Sequence, residues 1–349
     1  MSTDVSTKVM IGIIAAIMIG ACLFLTRSFL APVAFAFYLV AVVWPVQRRL
    51  QRWMSTGFAA VVTVLVSLAV VGAMLSLVVW SFRRVGSWLL ANIGRFQALY
   101  AQADTWFEAH GFVMAGLITE NFDVRWLLRV FQEVSGLLQS LSSFLVVMFL
   151  FMILGLLEVG VFRAQLAVLR RHDAGRFLIE AGADMAGKMQ KHMLVRSVVS
   201  LATGVVVWAF TLASGLELAL AWGVIAFSMN YIPFIGPFVA TLLPTLFALI
   251  QLESWRMALF VFLSLNVIQF VSGSYLEPRI AGKALAISPV LVLLAIFLWG
   301  FLWGIAGILL AVPFLIAALT LCAHAPSLRW VADLLSGQPP RGEPGSGAV

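Results

Sequence analysis

A polytopic, all-α bundle of membrane-crossing helices is the fold class that this sequence predicts, and three observations predict it. Hydrophobic residues make up 62% of the chain and charged residues 11%, against roughly a quarter charged in a soluble globular domain. Apolar runs recur along most of the length, and two long ones, 218–252 and 284–323, hold no formal charge. Most of the basic residues behind the net charge of +7 sit in short segments beside apolar runs, where a positive-inside bias puts them. Membrane lipid is therefore an expected partner and nucleic acid is not. Cys22 and Cys322 both lie inside apolar runs, so neither a disulfide framework nor a thiolate metal site is supported. No cofactor is implied.

Residues 1–82 read as three spans, 9–26, 28–46 and 57–82. Arg27 divides the first two, Pro45 stops the second, and Arg83 with Arg84 closes the third. Arg48, Arg49 and Arg52 follow with no acid between 47 and 56, a cytoplasmic marker that also places the N-terminus inside. Lys8, an apolar run and Ala34-Phe35-Ala36 faintly resemble a cleavable leader. The run is too long and more spans follow, so an uncleaved first helix is expected.

Residues 83–140 are the one sizeable extramembrane region, external by topology, and read as a helical hairpin. Leu89, Ile93, Phe96, Tyr100, Ala103 and Phe107 draw one apolar seam, and Leu127, Phe131, Val134, Leu138 and Leu141 draw another. The seams can pack on each other, on the membrane surface or against further copies in a homo-oligomer. The main membrane domain is then 141–325. Its fourth span covers about 141–160, and 161–193 carries six basic and three acidic residues with one amphipathic face, which predicts an interfacial helix. Gly182 to Lys188 spells the start of a phosphate loop. Met189 stands where Ser or Thr would hold magnesium, and no strand precedes it, so that match is rejected.

Span five is 194–214. As one helix, the following 218–252 would reach roughly 50 Å against a hydrocarbon core of about 30 Å. Within it lies Asn230-Tyr231-Ile232-Pro233-Phe234-Ile235-Gly236-Pro237. Two prolines and a glycine predict a break there that leaves backbone groups unpaired. Such a break survives in lipid only under protein or beside a wet cavity, as in transporters; the plainer reading is a tight turn outside the membrane. In 257–275 and just beyond, Asn266, Gln269, Gly273 and Glu277 fall at steps of three, four and four. They make either a polar wall for a solute or a set of helix-to-helix hydrogen bonds. The run 284–323 is about twice the length one crossing needs. It must bend or cross twice, with Pro289 and Pro313 the obvious breakpoints and Gly300, Gly304 and Gly307 a smooth packing face. Beyond Pro326 the composition turns to Gly, Pro and Ser, so 326–349 reads as a mostly disordered tail. If each long run crosses once there are eight spans; if each doubles back there are ten. About eight, with broken or re-entrant helices in the C-terminal half, is the expectation.

Three stretches carry a family resemblance: Asn230-Tyr-Ile-Pro-Phe-Ile-Gly-Pro, Leu276-Glu-Pro-Arg-Ile-Ala-Gly-Lys-Ala-Leu, and Ile287-Ser-Pro through Trp303-Gly-Ile-Ala-Gly-Ile-Leu-Leu-Ala-Val-Pro313. Together with Pro32-Val-Ala-Phe-Ala and Val43-Trp-Pro45, they make the chain from about 10 to 325 similar to the autoinducer-2 exporter family of permease-like bacterial membrane proteins. With eight or ten spans the C-terminus lies inside with the N-terminus, and the resemblance implies an inner-membrane transporter. The cargo would be a small polar signal such as autoinducer-2, or sodium or lithium exchanged for protons. No carboxylate lies between Glu217 and Glu253, which counts against a carboxylate exchange site in that segment.

The candidate path residues are Asn230, Asn266 and Gln269 for contact and Pro233, Gly236 and Pro237 for the break. Glu277, Pro278, Arg279, Gly282 and Lys283 are expected to form a gate or a membrane-edge anchor. An enzyme is not expected: the four histidines lack ligand spacing, and no H-E-x-x-H or G-x-S-x-G occurs. An oligomeric membrane scaffold is the rival from another class.

Overall fold

The computed structural model describes residues 5–95, 125–282 and 287–335, with side chains from residue 7 onward except at 125–140. Most of the 83–140 seams, Lys283 and the tail from 336 lie outside the described residues. Every element among the described residues is helical: α1 (Val5–Leu25), α2 (Arg27–Leu50), α3 (Thr56–Ala91), α4 (Arg125–Leu169), α5 (Asp173–Ala213), α6 (Ala219–Met229), α7 (Ile235–Leu252), α8 (Trp255–Phe270), a π-helical turn (Val271–Leu276), α9 (Glu277–Ala281), α10 (Pro289–His324), a 3-10 turn (Pro326–Leu328) and α11 (Arg329–Leu335). Eight helices among these residues are long and apolar enough to cross a membrane, which agrees with the expected count.

Several boundaries differ from the sequence reading. Pro45 does not stop α2, which runs on to Leu50. Just past the proline, fully buried Gln47 ties the end of α2 to the start of α3. Its Nε2 donates to the Ala59 carbonyl (2.9 Å) and to Thr63 Oγ1 (2.7 Å), and its Oε1 accepts from Ala60 N (3.3 Å). α3 continues through Arg83 and Arg84 to Ala91. The stretch 161–193 is not one separate helix; it is shared between the end of α4 and the first half of the 41-residue α5.

Both long uncharged runs fold back on themselves. α6 has 11 residues and α7 has 18, so α6 is about 16 Å long and reaches only about half-way through a hydrocarbon core. The two lie side by side, with the Trp222 and Phe247 ring centroids 5.0 Å apart. In α10 the break is at Gly304 (φ 61°, ψ −139°), a conformation that a side chain resists. Pro289 instead opens the helix at its first position and Pro313 lies inside it. Ala295 and Ile296 share a buried cluster with Ala311, which a straight rod would hold more than 20 Å apart. A Cβ on Gly307 would run into the Trp299 carbonyl. The expected smooth face is thus where the chain packs against itself.

The chain gathers into two compact units. One comprises 1–67, 144–193 and 281–349; its core includes Ala31, Tyr38, Met189, Trp303, Leu310 and Ile316. Trp303 stacks edge-on with Trp299 and Phe314, and its Nε1 donates to the Leu23 carbonyl at 3.0 Å. The other comprises 68–143 and 194–280, around Val207, Trp222, Ile225, Phe247, Val261 and Leu265. In this second unit Trp88 lies 4.1 Å from Phe247 between ring centroids, and its Nε1 donates to Glu217 Oε2 at 2.6 Å. Gln251 bonds the Glu217 amide (2.8 Å) and the Gly215 carbonyl (2.9 Å). Glu217 is thereby a clamp at a helix junction.

Candidate functional site

The second unit contains a buried polar seam. The membrane half of α5 presents Arg196, Ser197, Ser200 and Thr203 within two turns, so they lie along one side of the helix. Opposite them stand Asn230 and Tyr231, at the end of α6, and Ser272 and Glu277, in and just after the π-turn. Glu277 Oε2 accepts from Arg196 Nη1 at 2.9 Å. Tyr231 OH donates to Ser197 Oγ at 3.0 Å, and Asn230 Nδ2 donates to Ser200 Oγ at 3.2 Å. Thr203 Oγ1 donates to the Val199 carbonyl at 2.8 Å and meets Ser272 Oγ in a short hydrogen bond. With its proton committed to the carbonyl, Thr203 accepts from Ser272.

Ser200, Thr203, Asn230 and Ser272 are all buried. One turn before Ser272, Gln269 is 8% exposed, and among the described residues neither its Oε1 nor its Nε2 has a hydrogen-bond partner. Arg196 Nε is likewise buried without one. Each such group carries a desolvation cost of about 1–3 kcal/mol. An amide with both donor and acceptor unmet suits a ligand that can both accept and donate, such as a hydroxyl. Among the described residues the seam holds one cation and one anion that cancel, and otherwise hydroxyls and amides. Among the described residues no three His, Cys, Asp or Glu side chains converge as metal ligands.

The buried side of α8 decides which predicted residues belong here. Regular α-helical steps would have put Asn266, Gln269, Gly273 and Glu277 on one face. Asn266 is instead exposed, with its Nδ2 donating to the Phe262 carbonyl of its own helix at 2.8 Å. Ser272, not Gly273, shares the buried side of α8 with Ala258, Val261, Leu265 and Gln269, at the steps of three and four that helical periodicity gives. Pro278 and Arg279 are exposed, and the Arg279 guanidinium lies over the Tyr275 ring at 4.4 Å. Gly282 follows the end of α9 with a φ of 62°; Lys283 lies outside the described residues.

The break itself is more tightly bonded than expected. The amides of Asn230, Tyr231 and Ile232 donate to the carbonyls of Ala226, Ser228 and Met229, and Gly236 N donates to Ile232 O. Phe234 (φ 62°, ψ −54°) is the centre of a γ-turn closed by Ile235 N to Pro233 O at 2.7 Å, a strained form for a bulky residue. Gly236 is required because a Cβ there would strike the Met229 carbonyl. Pro237 falls in the first turn of α7, where its missing donor costs nothing. Phe234 is 52% and Phe238 64% exposed, so the tip of this hairpin is apolar outward and carries polar groups inward at Asn230.

Sequence reasoning missed Arg196, Ser197, Ser200, Thr203 and Ser272. The signal was present: an arginine inside a span, followed by hydroxyls at helical spacing.

Eight span-length apolar helices, two folded-back segments and a buried polar seam define a multi-pass membrane protein. Residues 13–327 match the family model described as AI-2E family transporter, and the chain belongs to that family of membrane transporters. It is similar to the AI-2 transport protein TqsA of Escherichia coli K12, at 26% identity over 337 residues, or 94% of each chain. A Haemophilus influenzae protein is 25% identical over 340 residues, 94% of this chain and 96% of that one. A Borreliella burgdorferi protein is 32% identical over 213 residues, which is 61% of this chain and 58% of the relative.

Proposed function

We propose that the protein carries a small polar solute of the autoinducer-2 kind across the bacterial inner membrane, downhill or driven by an ion gradient, without ATP hydrolysis. The observation that carries this reading is Gln269, a buried amide with both ends unmet among the described residues, at the end of a chain of paired polar groups. The name of the TqsA relative supports the cargo class. The stretch Gly182 to Lys188 lies within α5, so it supplies no phosphate-binding loop for a nucleotide. The basic cluster Arg48, Arg49 and Arg52 supports cytoplasmic termini.

Exchange of sodium or lithium for protons is the second reading. The buried Thr203 and Ser272 oxygens and the ionisable Glu277 beside Arg196 favour it. The test is flux in proteoliposomes without nucleotide. Protein-loaded vesicles are expected to move autoinducer-2 faster than empty ones; movement of sodium, lithium and protons instead assigns the second reading. Identical behaviour of loaded and empty vesicles for all four defeats both.

A further inference from the structure

The first compact unit holds an open groove of about 400 Å³ that the polar seam does not use. Its walls are almost wholly apolar and come from α2 (Phe37, Ala41), the first half of α5 (Met185, Met189) and the second arm of α10 (Pro313, Phe314). Its volume is that of an ordinary ligand pocket, and flexible thioethers on one wall suit a flexible occupant. Past one end of the groove the same face of α2 turns polar. From Ala41, α2 continues one turn to Trp44 and two turns to Arg48 on the same face. Arg163 of α4 lays its guanidinium over the Trp44 ring at 4.5 Å. Among the described residues neither Arg48 nor Arg163 has an acidic partner, whereas Lys188 at the α5 wall is already paired with Asp184 at 2.8 Å.

From this arrangement we propose that the groove is a binding site for one anionic phospholipid, with an acyl chain between α2, α5 and α10 and the headgroup phosphate on Arg48 and Arg163. Charge complementarity selects this occupant. Two unneutralised guanidiniums and a tryptophan stand at the end of an apolar slot, which is the order of parts in an anionic lipid meeting the membrane interface. A second copy of this chain, at a net charge of +7, would bring its own arginines against them. The chain's tail does not fit either, because 336–349 holds only Ala348 and Val349 as aliphatic residues apart from proline.

The test is native mass spectrometry of the full chain extracted from nanodiscs of equal phosphatidylglycerol and phosphatidylcholine. One retained phosphatidylglycerol per chain is expected, at about a tenfold preference over phosphatidylcholine given two arginines at the interface. Ala186→Trp and Ala317→Trp, on two walls of the groove, each remove the retained lipid. Val290→Trp, at a position 66% exposed outside the groove, keeps it. Replacing both Arg48 and Arg163 by Ala keeps one lipid and brings the headgroup preference close to one, a readout that stands even if the groove-filling variants fail to fold. Equal retention of the two lipids by the unaltered protein, unchanged preference without the arginines, or groove-filling variants that change the oligomeric state while keeping the lipid overturns the proposal.

Discussion

Asn266 and Gln269 are three residues apart and look alike in the sequence, yet they have opposite fates. Asn266 bonds its own helix and is exposed; Gln269 is buried, with no hydrogen-bond partner among the described residues. Gln269→Leu is therefore predicted to raise stability by about 1–2 kcal/mol, because it removes an unmet buried amide, while transport falls. Thermal unfolding in detergent alongside vesicle flux measures both. The Arg196–Glu277 pair behaves differently: its side chains are 11% and 27% exposed, and Glu277→Ala leaves a guanidinium buried without its counter-charge. A loss of about 3 kcal/mol is predicted, with smaller loss in Glu277→Gln, which keeps an acceptor. At this scale the sequence made Asn230, Gln269 and Glu277 legible, since amides and charges are rare inside spans. Ser200 and Thr203 are readable only through their helical spacing from Arg196, because a hydroxyl on a span commonly bonds its own helix backbone and alone carries little signal.

Among the elements, the two folded-back segments follow from simple arithmetic. Uncharged runs of 35 and 40 residues exceed what one crossing needs. Where each breaks was legible only in the first, where Pro233, Gly236 and Pro237 cluster. In α10 the prolines drew attention away from Gly304, whose backbone angles make the turn. Gly304→Ala is predicted to cost about 1–3 kcal/mol through the positive-φ conformation (φ 61°, ψ −139°) it must hold, whereas Pro313→Ala leaves the hairpin intact. Chemical denaturation of the two variants separates them. The π-turn was not legible at all. The buried face of α8 is set by its apolar neighbours Ala258, Val261 and Leu265 and continues to Gln269 and Ser272, whereas Asn266 and Gly273 are exposed.

Over the whole molecule, composition alone established a polytopic helical membrane protein, and the C-terminal motifs identified the family. The pairing of distant segments was beyond a sequence reading: α5 meets the end of α6, the π-turn and the start of α9 through contacts 30 to 81 residues apart in the chain. Those contacts turn scattered polar residues into one seam, and the central claim is that solute passes along it. The most direct test compares flux of autoinducer-2 through Gln269→Leu and Asn266→Leu, each reconstituted at equal density beside the unaltered protein. The account predicts at least a tenfold loss for Gln269→Leu, the scale of one lost buried hydrogen bond at about 1.4 kcal/mol, and unchanged flux for Asn266→Leu. Equal flux through both variants, or a loss confined to Asn266→Leu, would contradict it.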